Sequence, residues 1–277
     1  MSAQAIFDRL AIVMAHPDDE ILWAGSALRA AGKIVLVYGA LPGAPVLTEG
    51  RKAAMAEFPL PTLEWLEMVE AAVFDSASWP NARETDYGVY PHPRLKVFDT
   101  FDPDRYRRQF GEMRDRLRGS LQGMRNVIAH GPWGEYGHED HIQVFRVVAS
   151  LADEMGFRLW VPGYWAPKSE TLMQRNLRFL GRPTDPLPID RALVEEVAQT
   201  YKRTQTWTWF DDYVWPETER FFPWHASGAP EGKAARAEEI QRIRFPEDYE
   251  AKRRAQLHWK RETVRRVLSW LNGRRAA

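Results

Sequence analysis

The chain has 277 residues, in which 38 Lys and Arg balance 38 Asp and Glu, and it contains no cysteine. This length suits one large α/β domain or one domain with a modest extension. The balanced charge provides no basic field for nucleic acid, and the lack of cysteine excludes disulfides, thiolate catalysis and cysteine-based zinc sites. Histidines and carboxylates are therefore the strong metal ligands that remain.

The N-terminus does not combine a basic segment with an apolar stretch, and no window of about 18 residues is continuously apolar. The sequence therefore predicts a cytoplasmic protein with no integral membrane segment. It leaves the oligomeric state open, a homo-oligomer included.

The first elements form a βαβ unit. Residues 10–15 are a short apolar run of buried-strand length, and helical spacing of apolar residues follows up to Gly32. Residues 34–38 are the next predicted strand, which favours a parallel sheet with right-handed crossovers. Residues 49–58 are a predicted helix, whereas residues 60–73 fit neither period well.

The rest of the chain continues the alternation and then changes character. A long loop rich in Pro, Asn, Asp, Gly and aromatic residues is predicted at 76–93, and the C-terminal part is first crowded with aromatics and then charged. The further predicted elements are a helix at 104–117, a strand at 126–130, a helix at 142–156, a strand beginning at 159–161, a helix at 192–203 and a largely helical segment at 228–277.

These patterns predict an α/β fold: a Rossmann-like, mostly parallel sheet flanked by helices, with a mainly helical, aromatic-rich C-terminal extension. We predict a core at residues 1–205 and an extension at residues 206–277 that packs on this core.

A polar segment with the sequence AHPDDE directly follows the first predicted strand. His16 and Asp19 are three residues apart and can converge on one ion, while Asp18, displaced around the turn, can reach a water on that ion. Acidic side chains in a first helical turn are also stabilised by unpaired amides, so Asp18, Asp19 and Glu20 could simply cap the helix. Capping does not account for the histidine, and for Glu20 we expect only a capping or supporting role.

A second polar segment, GHEDH at residues 137–141, opens the helix that follows the strand at 126–130. A zinc hydrolase usually keeps about three protein ligands and one open position for water. With His16 and Asp19 in place, one more histidine completes the set. We assign His141, because it lies inside the helix and is better fixed.

The remaining histidine of the second segment, His138, lies at the edge of the loop and is free to act on substrate. Asp140 can hold His138 in its useful tautomer and favour the imidazolium, so that the histidine acts as an acid. The alternative for this segment alone is a surface loop with solvated histidines and acids. The presence of the first segment argues against that alternative.

Together the two segments resemble the LmbE-like, PIG-L type family of zinc-dependent N-acetylglucosaminyl deacetylases, in which a strand ends in an AHPDDE-like motif and an HxDH-like motif follows later. Residues 15–20 carry the first motif unchanged and residues 138–141 carry the second as HEDH. The loop from Ala129 to Gly137 also resembles the family's loop. The resemblance covers about residues 10–205.

The resemblance implies a role for each matching residue. Zinc would be bound by His16, Asp19 and His141, with another divalent metal such as Fe²⁺ as an alternative. Asp18 would be the general base, His138 the acid or oxyanion stabiliser, and Asp140 the residue that orients His138. Tyr136 matches a position where some relatives place a tyrosine that helps to stabilise the oxyanion, and His130 would support the end of its strand rather than bind metal.

Two weaker matches complete the resemblance. Residues 49–54 resemble the family's acidic helix, and residues 201–205 resemble a tyrosine and a glutamine near the end of its core. An arginine often found about three residues before the acidic residue is replaced here by Val46. If that arginine helps to hold substrate or a loop in the family, a different residue must do so in this chain.

The implied reaction is hydrolysis of an N-acetyl group on an N-acetylglucosamine-containing glycoconjugate, glycolipid or glycosylated small molecule, through metal-activated water. The pocket should lie beyond the carboxyl ends of the strands, with Trp133 placed to line it. Four tryptophans further along the chain could stack on a sugar or cover an aglycone, although we favour core roles for them: Trp207, Trp209, Trp215 and Trp224.

Three other functions compete with this interpretation. A zinc amidase that cleaves a non-sugar amide or a thiol conjugate would use identical chemistry. A non-catalytic carbohydrate-binding protein would not need Asp18 and His138 together. A nucleotide-binding domain would need a glycine-rich phosphate loop after the first strand, where this chain carries acidic residues.

Overall fold

The computed structural model describes residues 5–92, 100–232 and 234–246. The strands are β1 (Leu10–Met14), β2 (Lys33–Ala40), β3 (Leu63–Val69), β4 (Glu84–Thr85), β5 (Gly88–Val89), β6 (Asn126–Ala129), β7 (Arg158–Pro162), β8 (Tyr164–Trp165), β9 (Leu187–Pro188), β10 (Thr218–Glu219), β11 (Phe221–Pro223) and β12 (Gln241–Arg242). The α-helices are α1 (Asp19–Trp23), α2 (Pro45–Ala56), α3 (Pro103–Ser120), α4 (Glu139–Met155), α5 (Glu170–Asn176) and α6 (Arg191–Arg203).

Six strands form the central sheet in the order β11-β7-β6-β1-β2-β3. All neighbouring pairs are parallel except β11, which pairs with β7 in the antiparallel direction. The chain leaves β1 towards β2 on one side and returns through β6 on the other, so the strand order reverses at β1. The predicted fold class, a mostly parallel sheet flanked by helices, is confirmed.

Burial of both sheet faces explains why the central strands are apolar at every position. Every residue of β1 is buried, and its alternate side chains enter two different cores. One core takes Ala11 and Val13 together with apolar side chains of α3 and α4. The other takes Leu10, Ile12 and Met14 together with apolar side chains of α1 and α6.

One local prediction differs from the structure, and the structure also assigns one segment that the sequence left open. The helix predicted up to Gly32 is only the five residues of α1 followed by a 3₁₀ turn at Leu28–Ala30. A side chain at Gly25 would lie 2.9 Å from Val194 Cγ1, so α6 packs against the point where the helix ends. The ambiguous segment 60–73 contains β3, an edge strand whose outer face is half-exposed, which explains its poor hydrophobic period.

The segment after residue 205 departs most from prediction. Its strand β11 completes the central sheet, so the described part of this segment shares the core of residues 5–205. The mainly helical prediction is wrong for residues 206–232 and 234–246, where the helical structure is one 3₁₀ turn at Ala237–Glu239. Prolines recur at 216, 223, 230 and 246 and prevent long helices there. Residues 247–277 lie outside the described residues.

The loop predicted at 76–93 is long and irregular as far as residue 92, with a short hairpin formed by β4 and β5. Within the described parts of the chain, no helix combines the length and apolar character needed to cross a membrane.

Candidate active site

The candidate site lies beyond the carboxyl ends of β1 and β6, where the strand order reverses. His16 and the N-terminus of α1 follow β1, and the loop after β6 leads into α4. His16 Nδ1 lies 3.2 Å from Asp19 Oδ2, and His141 Nε2 lies 3.2 Å from the same oxygen. Two segments more than a hundred residues apart therefore bring the three predicted ligands together at the switch point of the sheet.

Among the described residues, three overlapping groups have ligand atoms within 4.8 Å of one another, as a divalent metal ion requires: His16, His138 and His141; Asp19, His130 and His141; and His16, Glu70 and Asp140. A tetrahedral zinc with bonds of about 2.0 Å has ligand atoms roughly 3.3 Å apart, close to the two separations around Asp19 Oδ2. His141 Nε2 is buried and has no hydrogen-bond partner among the described residues. Buried polar atoms are rarely left in that state, so an ion between these donors would explain it.

The electrostatics of the site also favour a cation. Burial alone would lower the pKa of His16, but the carboxylates of Glu70, Asp140 and Asp19 outweigh it and raise that pKa to about 10. Burial, with the charge of Asp19 added, raises the pKa of Asp18 to about 7. The shift at His16 reflects an excess of negative charge around its ring, which a divalent ion would neutralise, whereas the shift at Asp18 is due mainly to burial.

Asp19 is held firmly between the two segments. Its Oδ1 accepts a hydrogen bond from Trp23 Nε1 at 2.9 Å and its Oδ2 accepts one from the His16 backbone N–H at 2.8 Å. Burial would raise the pKa of Asp19, but His141, His130 and His16 keep it well below the ordinary value. Asp19 is thus an ionised carboxylate of fixed orientation.

Asp18 is the N-cap residue of α1, and its φ of 99° is unusual for a residue with a side chain. Its backbone N–H donates to Glu20 Oε2 at 3.1 Å. Glu20 in turn accepts from the Tyr201 hydroxyl at 2.7 Å, and burial raises the pKa of Glu20 to about 8. Glu20 therefore supports the backbone of Asp18, as expected.

The contact that holds the Asp18 side chain was not predicted. Asp18 Oδ2 accepts two hydrogen bonds from Thr208, at 3.0 Å from the backbone N–H and at 2.7 Å from the hydroxyl. Thr208 lies in the segment after residue 205, so that segment contributes directly to the site. A separation of 190 residues leaves no local signal for this contact.

His138 differs from its predicted state. It is the N-cap of α4, and its Nδ1 accepts a hydrogen bond from the Asp140 backbone N–H at 3.2 Å. Burial, and then the charges of His141 and His16, lower its pKa well below the ordinary value. His138 is therefore a neutral imidazole with its hydrogen on Nε2, and the expectation of an imidazolium acid is corrected.

Asp140 also differs from its predicted contact. Its backbone, not its carboxylate, contacts His138, because the helix start directs that N–H at the capping side chain. The carboxylate lies with Oδ2 3.5 Å from His16 Nε2 and has no hydrogen-bond partner among the described residues. Asp140 thus adds negative charge beside His16.

Two further residues near His16 were missed in the sequence. Glu70, directly after β3, places Oε2 3.8 Å from His16 Nε2, and Arg51 of α2 binds Glu70 Oε1 at 2.5 Å and the Gly39 carbonyl at 3.1 Å. Arg51 is buried, whereas Val46 is 68% exposed. Arg51 is therefore the arginine that α2 directs towards the site.

Glu135 is another buried carboxylate that the sequence did not single out. Its Oε2 lies 2.9 Å from His130 Nδ1 and 2.7 Å from His141 Nδ1, and its Oε1 accepts the Gly131 backbone N–H at 2.7 Å. Burial opposes its charge, yet these contacts hold the pKa of Glu135 below the ordinary value. His130 Nε2 accepts the Ala15 backbone N–H at 2.9 Å, in agreement with a role at the strand end.

Aromatic side chains surround the histidines. Phe74 is 48% exposed and stacks on His138, with ring centroids 4.5 Å apart. Tyr136 meets His138 and His141 edge to face at 5.8 and 5.4 Å, and Trp209 packs against Tyr136 at 5.1 Å. Tyr136 thus lies beside the site, and its oxyanion role stays a prediction.

The other tryptophans have structural roles. Trp133 is fully buried and donates from Nε1 to the Tyr164 carbonyl, so the expectation that it lines the pocket is wrong. Trp215 is buried and donates to the Ile21 carbonyl, and Trp207 packs on Trp215. Trp224 packs on Phe145 and Phe179.

A buried set of imidazoles and carboxylates at the switch point of a Rossmann-like sheet defines a candidate metal centre. No protein-family model matches the chain. The chain is 28% identical over 202 residues to the 1D-myo-inositol 2-acetamido-2-deoxy-alpha-D-glucopyranoside deacetylase of Corynebacterium diphtheriae. The match covers 67% of this chain and 64% of that relative, and it confirms the resemblance to the deacetylase family that the two motifs indicated.

Solved structures to which the chain is similar include a deacetylase–teicoplanin complex from the biosynthesis pathway of teicoplanin, with a TM-score of 0.49, 13% identity and coverage of 78% of this chain and 97% of that chain. The zinc-inhibited form of the teicoplanin deacetylase Orf2 gives a TM-score of 0.48 and 14% identity over 78% and 97% of the two chains. The A40926 pseudoaglycone deacetylase Dbv21 gives 0.49 and 14% over 78% and 96%.

Proposed function

We propose that this protein is a zinc-dependent deacetylase that hydrolyses the N-acetyl group of an N-acetylglucosamine-containing substrate. The observation that carries the proposal is that His16 Nδ1 and His141 Nε2 each lie 3.2 Å from Asp19 Oδ2. His141 Nε2 is also buried and has no hydrogen-bond partner among the described residues. The curated relative is named as the deacetylase of an acetamido sugar linked to inositol, which supports this substrate class. A cytoplasmic location stays a prediction.

His16, Asp19 and His141 would hold the metal. When bound, the ion supplies Lewis acidity, which polarises a carbonyl oxygen and lowers the pKa of water to roughly 7. Glu70 lies near Nε2 of His16, whereas Asp19 lies near Nδ1, and Arg51 binds the Glu70 carboxylate. The protein's own contribution is thus a rigid set of donors in a buried, negatively charged space.

Asp18 would take the proton from the attacking water. Thr208 occupies its Oδ2 with two hydrogen bonds, which leaves Oδ1 as the oxygen that can accept this proton. His138, neutral and with its hydrogen on Nε2, would donate a hydrogen bond to the carbonyl oxygen as negative charge develops there. Since His138 has no spare proton, the proton held by Asp18 is the one that the departing amine receives.

The expected result for the native protein is about one zinc per chain and release of acetate from at least one N-acetylated amino sugar. The probes are N-acetylglucosamine, its inositol conjugate, a glycolipid and a glycopeptide, and the measurement is acetate with the matching free amine. Treatment with a chelator should abolish release, and added Zn²⁺ should restore it. Metal-loaded protein that releases acetate only from non-sugar amides would instead establish the alternative amidase activity.

Thr208→Val is expected to lower kcat by about tenfold, because Asp18 loses a hydroxyl hydrogen bond that fixes its orientation. KM and zinc content should be unchanged, and Thr208→Ser should restore kcat. The measurement is the kinetics of acetate release from the best probe above. Thr206→Val is the matched control, since Thr206 is buried in the same segment but bonds to the Tyr201 carbonyl. Equal kcat for Thr208→Val and the native protein would contradict the assigned contact.

A further inference from the structure

Glu135 stands out as a charged side chain with no solvent exposure and two imidazole partners. Its described donors are the ring nitrogens of His130 and His141 and the backbone N–H of Gly131. A buried carboxylate is costly unless its oxygens are satisfied, and three donors satisfy this one. The position of the Glu135 carboxylate is therefore set by its hydrogen bonds to residues of the site.

The contacts fix the tautomer of His130. A backbone N–H can only donate, so the Ala15 N–H makes His130 Nε2 an acceptor. The hydrogen of that ring is then on Nδ1, where it is donated to Glu135. His130 Nε2 lies 3.5 Å from Asp19 Oδ2, near the candidate ligands, but its lone pair is already used. His130 is thus excluded as a ligand while Ala15 holds it.

The same reasoning gives the tautomer of His141. Its Nδ1 lies 2.7 Å from the Glu135 carboxylate, which accepts but cannot donate when ionised. The hydrogen of the His141 ring is then on Nδ1 and the lone pair on Nε2. That lone pair is on the atom that lies 3.2 Å from Asp19 Oδ2.

We propose that Glu135 is the positioning residue of the metal centre: it holds His141 in the tautomer and orientation that present Nε2 to the ion, with His130 as a brace. His130 and His141 stack with ring centroids 3.8 Å apart, and Glu135 Oε2 bonds both rings. His130 in turn accepts the Ala15 backbone N–H at the end of β1. Through this contact, the Glu135 carboxylate fixes the second motif relative to the first. This inference rests on the metal site of the proposed function.

Glu135→Gln is expected to weaken zinc binding by roughly 10- to 100-fold. Glutamine keeps the shape but has one amide NH₂ in place of an oxygen. If that NH₂ faces the histidines, His141 must shift its hydrogen to Nε2 and lose the lone pair. If it faces the other way, it opposes the Gly131 N–H. The measurement is zinc affinity in competition with a chromophoric chelator, on protein whose thermal unfolding confirms that it is folded.

Glu139→Gln is the matched control. Glu139 is also fully buried and flanks the same motif, but it accepts from the backbone N–H groups of Asp75 and Ala77 and from Trp79 Nε1, and contacts no histidine among the described residues. Its variant should lose thermal stability with zinc affinity unchanged. Equal affinities of Glu135→Gln and the native protein, or an equal loss of affinity in the two variants, would overturn the proposal.

A second measurement needs no variant. In metal-free native protein, ¹⁵N NMR of the histidine rings should show hydrogen on Nδ1 for His130 and His141. Hydrogen on Nε2 of His141 would refute the positioning role even if Glu135→Gln failed to fold. Zinc bound with the expected dependence on Glu135 but no acetate release would refute the proposed function alone, so the two failures are distinguishable.

Discussion

Asp18→Asn is expected to lower kcat for acetate release by roughly 10²- to 10⁴-fold, the usual contribution of a general base, while zinc stays bound. An asparagine oxygen can still accept the two hydrogen bonds from Thr208, so the loop is retained and only the basic oxygen is lost. The measurement is kcat on zinc-loaded protein with the best probe, together with zinc content per chain.

Asp102→Asn is the control for the structural alternative that Asp18 only caps a helix. Asp102 is the N-cap of α3, where its carboxylate accepts the Arg105 backbone N–H. Losing that charge should cost at most about 1 kcal/mol of stability and leave kcat unchanged. If zinc-loaded Asp18→Asn retained native kcat, the assignment of the base would be wrong.

The parts of the site that could be predicted are those encoded by short spacings. His16 and Asp19 are three residues apart, the first motif directly follows β1, and the second motif follows β6 after one loop. The carboxyl ends of parallel strands meet at one edge, so convergence of the two motifs follows from local pattern and topology. The strands β1 and β6 could also be predicted, because both of their faces are buried and their sequences are therefore apolar runs.

The supporting contacts could not be predicted, because they join residues that are distant in the chain. Thr208 reaches Asp18 across 190 residues, and Arg51 reaches Glu70 from a different element. Glu135 lies near its partners in the chain, but its role depends on a loop that turns back on itself. In that loop Gly134 has a φ of 64°, and a side chain there would lie 2.5 Å from the His138 carbonyl oxygen.

The error at His138 has a specific cause. A carboxylate two residues away suggests a charged partner for an imidazole, and this favoured an imidazolium. In the structure the residue caps α4, so the nearby donor is a backbone N–H and the imidazole must accept. Helix capping thus reversed the expected protonation state without changing which residues meet at the site.

His138→Ala is therefore expected to lower kcat by roughly 10²- to 10³-fold through loss of one hydrogen-bond donor to the developing oxyanion. His138→Gln should recover part of that loss, because its amide N–H can take the place of the Nε2 hydrogen. Zinc affinity should be native in both variants, which separates this role from that of a ligand.

An imidazolium acid would act only below its own pKa, so kcat of the native enzyme would fall as the pH rose through that value. Since burial and the neighbouring charges hold the pKa of His138 well below 6.5, we expect no such fall near neutral pH. A basic limb near pH 6.5 that disappears in His138→Gln would show instead that the histidine carries a proton to the amine.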